Sequence, residues 1–173
     1  NRLDVLRALV EIVDARKEMT FTRSTVINGA PVPWGSPEVF PALRQVVDYC
    51  TDRGAYKPIK NEASGKLVTA GHFAAKIGPR TFLTSRRKTN FNELDKIGLV
   101  KVETDGDDHV IAYGSKPSVG GQSQRIVFEQ HPDKDCIVHF HCPTKPGSKV
   151  PVVSQREYEC GSHQCGQNTS QGL

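Results

Sequence analysis

The stretch Cys136-Ile137-Val138-His139-Phe140-His141-Cys142 decides how this chain is read. Strand geometry sends successive side chains to opposite faces, so Cys136, Val138 and Phe140 share one face while Ile137, His139 and His141 share the other. Two imidazoles two residues apart can reach one centre, and nitrogen donors suit Zn²⁺ or a similar borderline divalent ion. Two histidines at the end of a half-buried strand are the plainer alternative. Cys142 falls on the face away from the imidazoles and is not counted as a ligand.

Immediately upstream, residues 122–130 carry Ile126, Val127 and Phe128 and read as a helix that Pro132 ends. His131 at that helix end suits the negative end of the dipole and so has a structural reading. Farther back, Leu99–Glu103 and His109–Tyr113 flank an Asp105-Gly106 turn and predict a hairpin, with His109 exposed on it. Short strands are expected over 67–71, 73–76 and 81–84, separated by tight turns such as Gly78-Pro79. Ser36-Pro37-Glu38 has the chemistry of a helix start, followed by the apolar stripe Phe40, Leu43, Val46, Val47 and Cys50 and a stop at Gly54. Residues 20–35 are loop-like, with at most a short extended piece, and Trp34 is expected to anchor this arm by packing. Residues 2–19 place Leu3, Leu6, Val10 and Val13 at helical spacing. Downstream of the His-x-His strand come a Pro/Gly turn, a short strand at 150–153 and a polar tail from Cys160. The pattern is a mixed α/β domain with a largely antiparallel sheet covered by helices.

At 173 residues the chain is long enough for one sizeable core. With 36% hydrophobic and 24% charged residues it has no apolar run that would span a bilayer. Its net charge of +4 is scattered apart from Arg86-Arg87-Lys88, which does not imply nucleic-acid binding. Five cysteines, an odd number without a signal-peptide pattern, point to a reducing compartment, so a cytoplasmic location is expected. The first residue, Asn1, and the polar end suggest a fragment of a longer polypeptide. P-loop, dinucleotide and serine-elbow signatures are not found.

Read in order, Thr69-Ala70-Gly71-His72-Phe73-Ala74, Phe82-Leu83-Thr84-Ser85, Val102-Glu103-Thr104-Asp105-Gly106, Lys116-Pro117-Ser118, His131-Pro132-Asp133 and Ile137-Val138-His139-Phe140-His141 resemble the class II aldolase and adducin N-terminal family. The resemblance covers roughly residues 36–160. It implies a three-layer α/β/α sandwich with a central, largely antiparallel sheet, assembled as a homo-oligomer, usually a tetramer with active sites between subunits. Residues 1–35, which have no counterpart in it, read as an N-terminal helix and connecting arm, and on this resemblance residues 36–173 are a class II aldolase-like domain truncated at its C-terminus. Enzymes of the family, such as aldolases, epimerases and dehydratases, act on small phosphorylated sugars. Their metal, held by a His-x-His pair and a later histidine, polarises a carbonyl. The resemblance assigns the first two ligands to His139 and His141.

Three departures bear on activity. The family's Pro-Ser-Ser-Glu motif supplies a proton-moving carboxylate, whereas this chain has Pro117-Ser118-Val119-Gly120, so the glutamate position is Gly120. Glu129, Glu157 and Glu159 are available substitutes in sequence. The family's phosphate-binding loops correspond here to Gly71-His72, Thr84-Ser85-Arg86-Arg87 and Ser118-Val119. Gly71, His72, Thr84, Ser85, Arg86, Arg87 and Ser118 are therefore the candidate substrate- or anion-binding residues. The arginine pair either grips a phosphate or carboxylate or forms a solvated basic turn, and His72 is either a site residue or a structural histidine. The family's third ligand has no counterpart before Leu173. Cys160-Gly161-Ser162-His163-Gln164-Cys165 is the nearest substitute, with His163 a further candidate ligand; chance proximity in a polar tail is its alternative.

Two functional expectations follow from different classes. One is a divalent-metal lyase, epimerase or dehydratase-like enzyme using Zn²⁺ on a small anionic sugar-like substrate; the other is a non-catalytic, adducin-like assembly or binding module. No nucleic acid and no membrane span belong to either.

Overall fold

A computed structural model describes residues 2–18, 23–106, 108–151 and 158–173. Its elements are α1 (Arg2–Glu18), β1 (Arg23–Ile27), α2 (Pro41–Asp52), β2 (Pro58–Lys60), β3 (Leu67–Thr69), β4 (His72–Gly78), β5 (Thr81–Thr84), α3 (Leu94–Ile97), β6 (Val100–Thr104), β7 (His109–Tyr113), α4 (Gln122–Gln130), β8 (Cys136–His139) and α5 (His163–Gln171). The strand expected at 150–153 and the candidate Glu157 fall at least partly on residues 152–157, outside the described residues. Among the described residues no helix is long and apolar enough to cross a membrane.

The main sheet has six strands in the order β1-β7-β6-β5-β4-β8, and β2-β3 form a separate ribbon. All pairings in the main sheet are antiparallel except β1 with β7. Strand alternation sorts the core. Phe73 and Ala75 of β4 and Leu83 of β5 pack with Leu43 and Val47 of α2, Trp34, Tyr56 and Phe91. Ala74, Phe82, Val100, Val102, Val110 and Ala112 form the opposite cluster with Phe128 of α4. β8 obeys the same rule, with Val138 against the first cluster and Ile137 against the second. Trp34 is 5% exposed, meets Phe73 edge-on with centroids 5.7 Å apart, and donates from Nε1 to Asp48 at 3.3 Å, as expected of an anchor.

Several expectations need correction. The short extended piece allowed for in residues 20–35 is β1, whose parallel pairing with β7, from Arg23 opposite His109 to Ile27 opposite Tyr113, is the part not anticipated. The helix expected from Ser36 begins at Pro41, because residues 33–39 close into turns, with Ser36 N–H on the Pro33 carbonyl and Val39 N–H on the Ser36 carbonyl. Phe40, held extended before a proline at φ −53 and ψ 131, then caps the helix. His109 is not fully exposed, since its ring bonds Thr25 Oγ1 and Asp105 Oδ2, each at 2.8 Å. The polar tail contains α5, whose start Ser162 caps by accepting the Cys165 N–H at 3.1 Å. α5 lies on α4 through Gly166 over Ile126 and through His131 Nε2, 2.8 Å from the Ser170 carbonyl. In α1, the side chains from Arg2 to Val13 are all exposed, the apolar ones included.

Candidate metal and anion site

Antiparallel register places His139, the last residue of β8, opposite His72, the first of β4. Their rings stack with centroids 4.8 Å apart and planes 22° from parallel. This approach needs Gly71: at φ +101 its backbone favours glycine, and a Cβ there would lie 2.5 Å from the His139 carbonyl oxygen. Tyr56 donates its hydroxyl to the same carbonyl at 3.3 Å, and burial pushes that phenol up. The strand ends at His139, yet His141 turns back so that the two Nε2 atoms are 3.1 Å apart with ring planes at 86°.

Behind His72 lies a buried polar chain. Gln124 donates from Nε2 to His72 Nδ1 at 3.1 Å and to Thr84 Oγ1 at 3.3 Å, and Thr84 donates onward to the Phe73 carbonyl at 3.0 Å. That arrangement makes Nδ1 of His72 an acceptor and leaves the proton on Nε2. Burial lowers His72 to about 3, with the His139 and His141 charges adding to the effect. Burial and then His141 lower His139 as well. Both rings are thus neutral at neutral pH, the state a metal ligand requires.

His139 and His141 open into a cavity of about 330 Å³ that Gly71, His72, Arg87, Lys88, Ser118, Val119, Cys160 and Cys165 also line. Of the residues expected from the sequence to bind an anion, Gly71, His72, Arg87 and Ser118 face this space. Thr84, Ser85 and Arg86 stand outside its lining. Ser85 is fully buried and donates to Ser118 Oγ at 2.8 Å, so it orients a lining hydroxyl. Arg86 braces a turn, giving Nη1 to the Ile97 carbonyl at 2.6 Å and Nε to Ser115 Oγ at 3.1 Å. Lys88, held at φ 56, lines the cavity beside Arg87, a position that the Arg-Arg-Lys run alone does not specify.

The glutamate position is also visible. Val119 at φ 45 and Gly120 at φ 66 form a tight left-handed turn, in which Val119 lines the cavity and Gly120 does not. The Gly120 carbonyl accepts the Ser24 hydroxyl at 3.2 Å and ties the turn to β1. Glu129 pairs with Arg125 at 2.8 Å, away from the cavity. Among the described residues, no Asp or Glu lines it.

From α5 and the turn before it come the two thiols, while His163, between them in sequence, turns elsewhere. Its Nδ1 bonds Asp108 Oδ1 at 2.8 Å and its Nε2 bonds Gln167 at 3.2 Å. Cys165 hydrogen-bonds Cys160, which lowers Cys160 to about 6 against a burial effect that raises it. The same bond, followed by burial, pushes Cys165 up. Cys142 points to the Ala55 carbonyl at 3.8 Å, outside the cavity.

The histidine pair fits a divalent ion. With metal–nitrogen bonds of about 2.0–2.1 Å, a 3.1 Å separation subtends about 100° at the metal, close to tetrahedral. Among the described residues, no group of three or more His, Cys, Asp and Glu side chains is already gathered for a metal.

No curated protein and no solved structure matches the chain. Residues 63–145 match the family model of the Class II Aldolase and Adducin N-terminal domain. The matched segment runs from β3 through β8 and holds Gly71, His72, Arg87, Ser118, His139 and His141, whereas Cys160 and Cys165 lie beyond it. Over residues 63–145, therefore, the chain is similar to the Class II Aldolase and Adducin N-terminal domain.

Proposed function

We propose that this domain holds a divalent ion, Zn²⁺ by its donor chemistry, on His139 and His141, and binds a small anionic, sugar-like compound in the adjoining cavity. The reading is supported above all by the 3.1 Å approach of the two Nε2 atoms at a cavity that Arg87 and Lys88 also line. Bound there, the ion would supply Lewis-acid polarisation of a carbonyl or hydroxyl oxygen. Arg87 offers a planar fork to a phosphate or carboxylate, Lys88 a second positive charge, and Ser118 a hydroxyl oriented by Ser85. His72 and Gln124 hold the back of the site and fix the ring against which His139 packs. By family likeness the three-layer α/β/α arrangement and a homo-oligomeric, tetrameric assembly belong to the same proposal, and so does a cytoplasmic location, on the odd number of cysteines.

A second reading has its own observation. Gly120 stands at the glutamate position and the described lining offers no carboxylate, which favours a binding or assembly module that has lost proton transfer.

Elemental analysis of the purified chain and of a His139→Ala/His141→Ala double variant tests the metal. Stoichiometric zinc lost in the double variant supports the site, whereas folded, metal-free protein overturns it. Calorimetric titration of the loaded chain with inorganic phosphate and short sugar phosphates tests the cavity, and weaker binding in Arg87→Ala is expected. Turnover of a sugar phosphate by the loaded chain would overturn the second reading; binding without turnover would support it.

A further inference from the structure

The anion cavity has a neighbour. A second cavity, of about 380 Å³, is bounded by the turn after α2, the start of β2 and the segment that follows β8. Ala70 and His141 line both spaces, so the two adjoin across these residues. The inference drawn from this rests on the anion reading of the first cavity and needs no metal.

The walls of the second cavity follow from local structure. α2 stops where Gly54, at φ +73, turns the chain, with the Gly54 N–H on the Thr51 carbonyl and the Ala55 N–H on the Cys50 carbonyl. Tyr56 then sends its ring into the core, where it is 1% exposed, and Lys57, Pro58 and Ile59 are left on the outside. β2 pairs with β3 from Pro58 opposite Thr69 to Lys60 opposite Leu67, which brings Ala70 to the foot of that wall. On the far side Cys142 reaches toward the Ala55 carbonyl at 3.8 Å, and Pro143 continues the segment.

The two spaces differ in chemistry. Arg87, Lys88 and the Ser118 hydroxyl line the first. In the second, Gly54, Ala55, Pro58, Ile59, Ala70 and Pro143 carry no polar side-chain atom. Lys57 is its one Lys, Arg, Asp or Glu among the described residues, and a lysine stem can lie along apolar surface while its ammonium stays in water. Ile59 is 58% exposed within this concavity, so water now covers an aliphatic wall that an apolar group would cover at a gain. At about 30 Å³ per water the space equals roughly a dozen waters, room for a chain of several carbons.

We infer that the second cavity is a subsite for an apolar extension of the anionic compound, whose head group rests on Arg87 and Lys88 and whose chain passes Ala70 and His141 to lie on Pro58 and Ile59. The ligand class is therefore an amphiphilic anion, a phosphate or carboxylate bearing an alkyl or aryl group, rather than a bare sugar phosphate. The first cavity supplies charge recognition, and the second sets selectivity by chain length.

Calorimetric titration of the intact chain with methyl, n-butyl and n-hexyl phosphate tests this, because the three share one head group and differ only in apolar length. Affinity should rise roughly two- to fourfold per methylene until the cavity is filled. Arg87→Ala should weaken all three by a common factor. The ratio of hexyl to methyl affinity should fall toward one in Ile59→Asp, and also in Ile59→Ser, which changes the same exposed wall without adding a charge. Equal affinity of the intact chain for the three phosphates overturns the inference and leaves the anion cavity standing. A gain with chain length that survives in both Ile59 variants places the tail elsewhere and overturns it as well. Tighter binding of a butyl phosphate that ends in a carboxylate than of butyl phosphate itself would make Lys57 the recognising group and overturn the apolar assignment. Failure of the intact chain to bind any of the three overturns the anion reading together with this inference.

Discussion

His72 and His139 stack across the β4–β8 ladder with ring centroids 4.8 Å apart, so the two histidines can share that position comfortably only while uncharged. Burial lowers His72 from 6.5 to about 3, whereas in the unfolded chain it titrates near its ordinary value. Between those values the unfolded state binds the extra proton, so stability is full above pH 6.5 and is lost as pH falls toward 3. The loss should be on the order of 2–4 kcal/mol for metal-free protein. Urea unfolding from pH 7 to pH 4 checks it. His72→Gln should flatten that slope, and an unchanged slope would rule out His72 as its source.

Gly71→Ala tests the close approach behind the same pair. The added Cβ would lie 2.5 Å from the His139 carbonyl and 2.9 Å from Tyr56 Cε1, at a backbone φ of +101. A loss of about 2–4 kcal/mol is expected from the combined strain and overpacking. Because the obstructed atom is backbone, His139 must move. Zinc affinity should therefore fall along with the denaturant midpoint, whereas Gly65→Ala, with open space around its own positive φ, should leave zinc affinity unchanged.

How much of this was legible in the sequence depends on which side of an element faces the core. The β6–β7 hairpin could be read from Asp105-Gly106, and β8 from its run of apolar residues and its His-x-His spacing, with Ile137 and Val138 half-buried on opposite faces. β1 could not, since four of its five residues are exposed and no alternation marks it. α5 escaped for a related reason: its contacts with α4 use Gly166, Ser170 and Gln167, which carry no apolar stripe. In the site, the His-x-His pair stood out through spacing and Gly71-His72 through the family resemblance. The Arg86-Arg87-Lys88 run showed charge but not direction, and the turn geometry sends Arg86 into the Ile97 carbonyl while Arg87 and Lys88 line the cavity. Cys160 and Cys165 stood out as metal-type residues, but His163 between them is drawn to Asp108, a partner 55 positions away that no local motif reveals.

Asp108 links the hairpin to both C-terminal helices, accepting on Oδ1 from Gln122 at 2.9 Å, Arg125 at 3.1 Å and His163 at 2.8 Å. Burial alone would raise its carboxyl, but the Gln122 and His163 hydrogen bonds and the charges of His163 and Arg125 hold it below 3.8. Its contribution is therefore complete above pH 3.8 and disappears as pH falls through the lower folded value. Asp108→Asn removes the charge while tolerating φ 51, a conformation asparagine adopts readily. A destabilisation of about 1–2 kcal/mol is expected for this partly exposed network. It should shrink in acid, where the wild-type carboxylate is itself protonated; a loss independent of pH would mean that shape rather than charge matters here.

Gly166 controls whether α5 can sit down on α4. A Cβ there would lie 2.6 Å from Ile126 Cδ1 and 3.5 Å from Ser123 Cα, with Ile126 itself 2% exposed. Alanine asks a buried side-chain tip to shift and should cost about 1 kcal/mol, whereas leucine cannot be housed and should cost about 1–3 kcal/mol or release the helix. Release of α5 would carry Cys165 away from the cavity without touching His139 or His141. Gly166→Leu should therefore become sensitive to limited proteolysis near residue 160 while the remainder of the domain keeps its circular dichroism. Proteolytic resistance would mean that α5 does not depend on this contact, since the Asp108 and Ser170 bonds would then suffice to hold it.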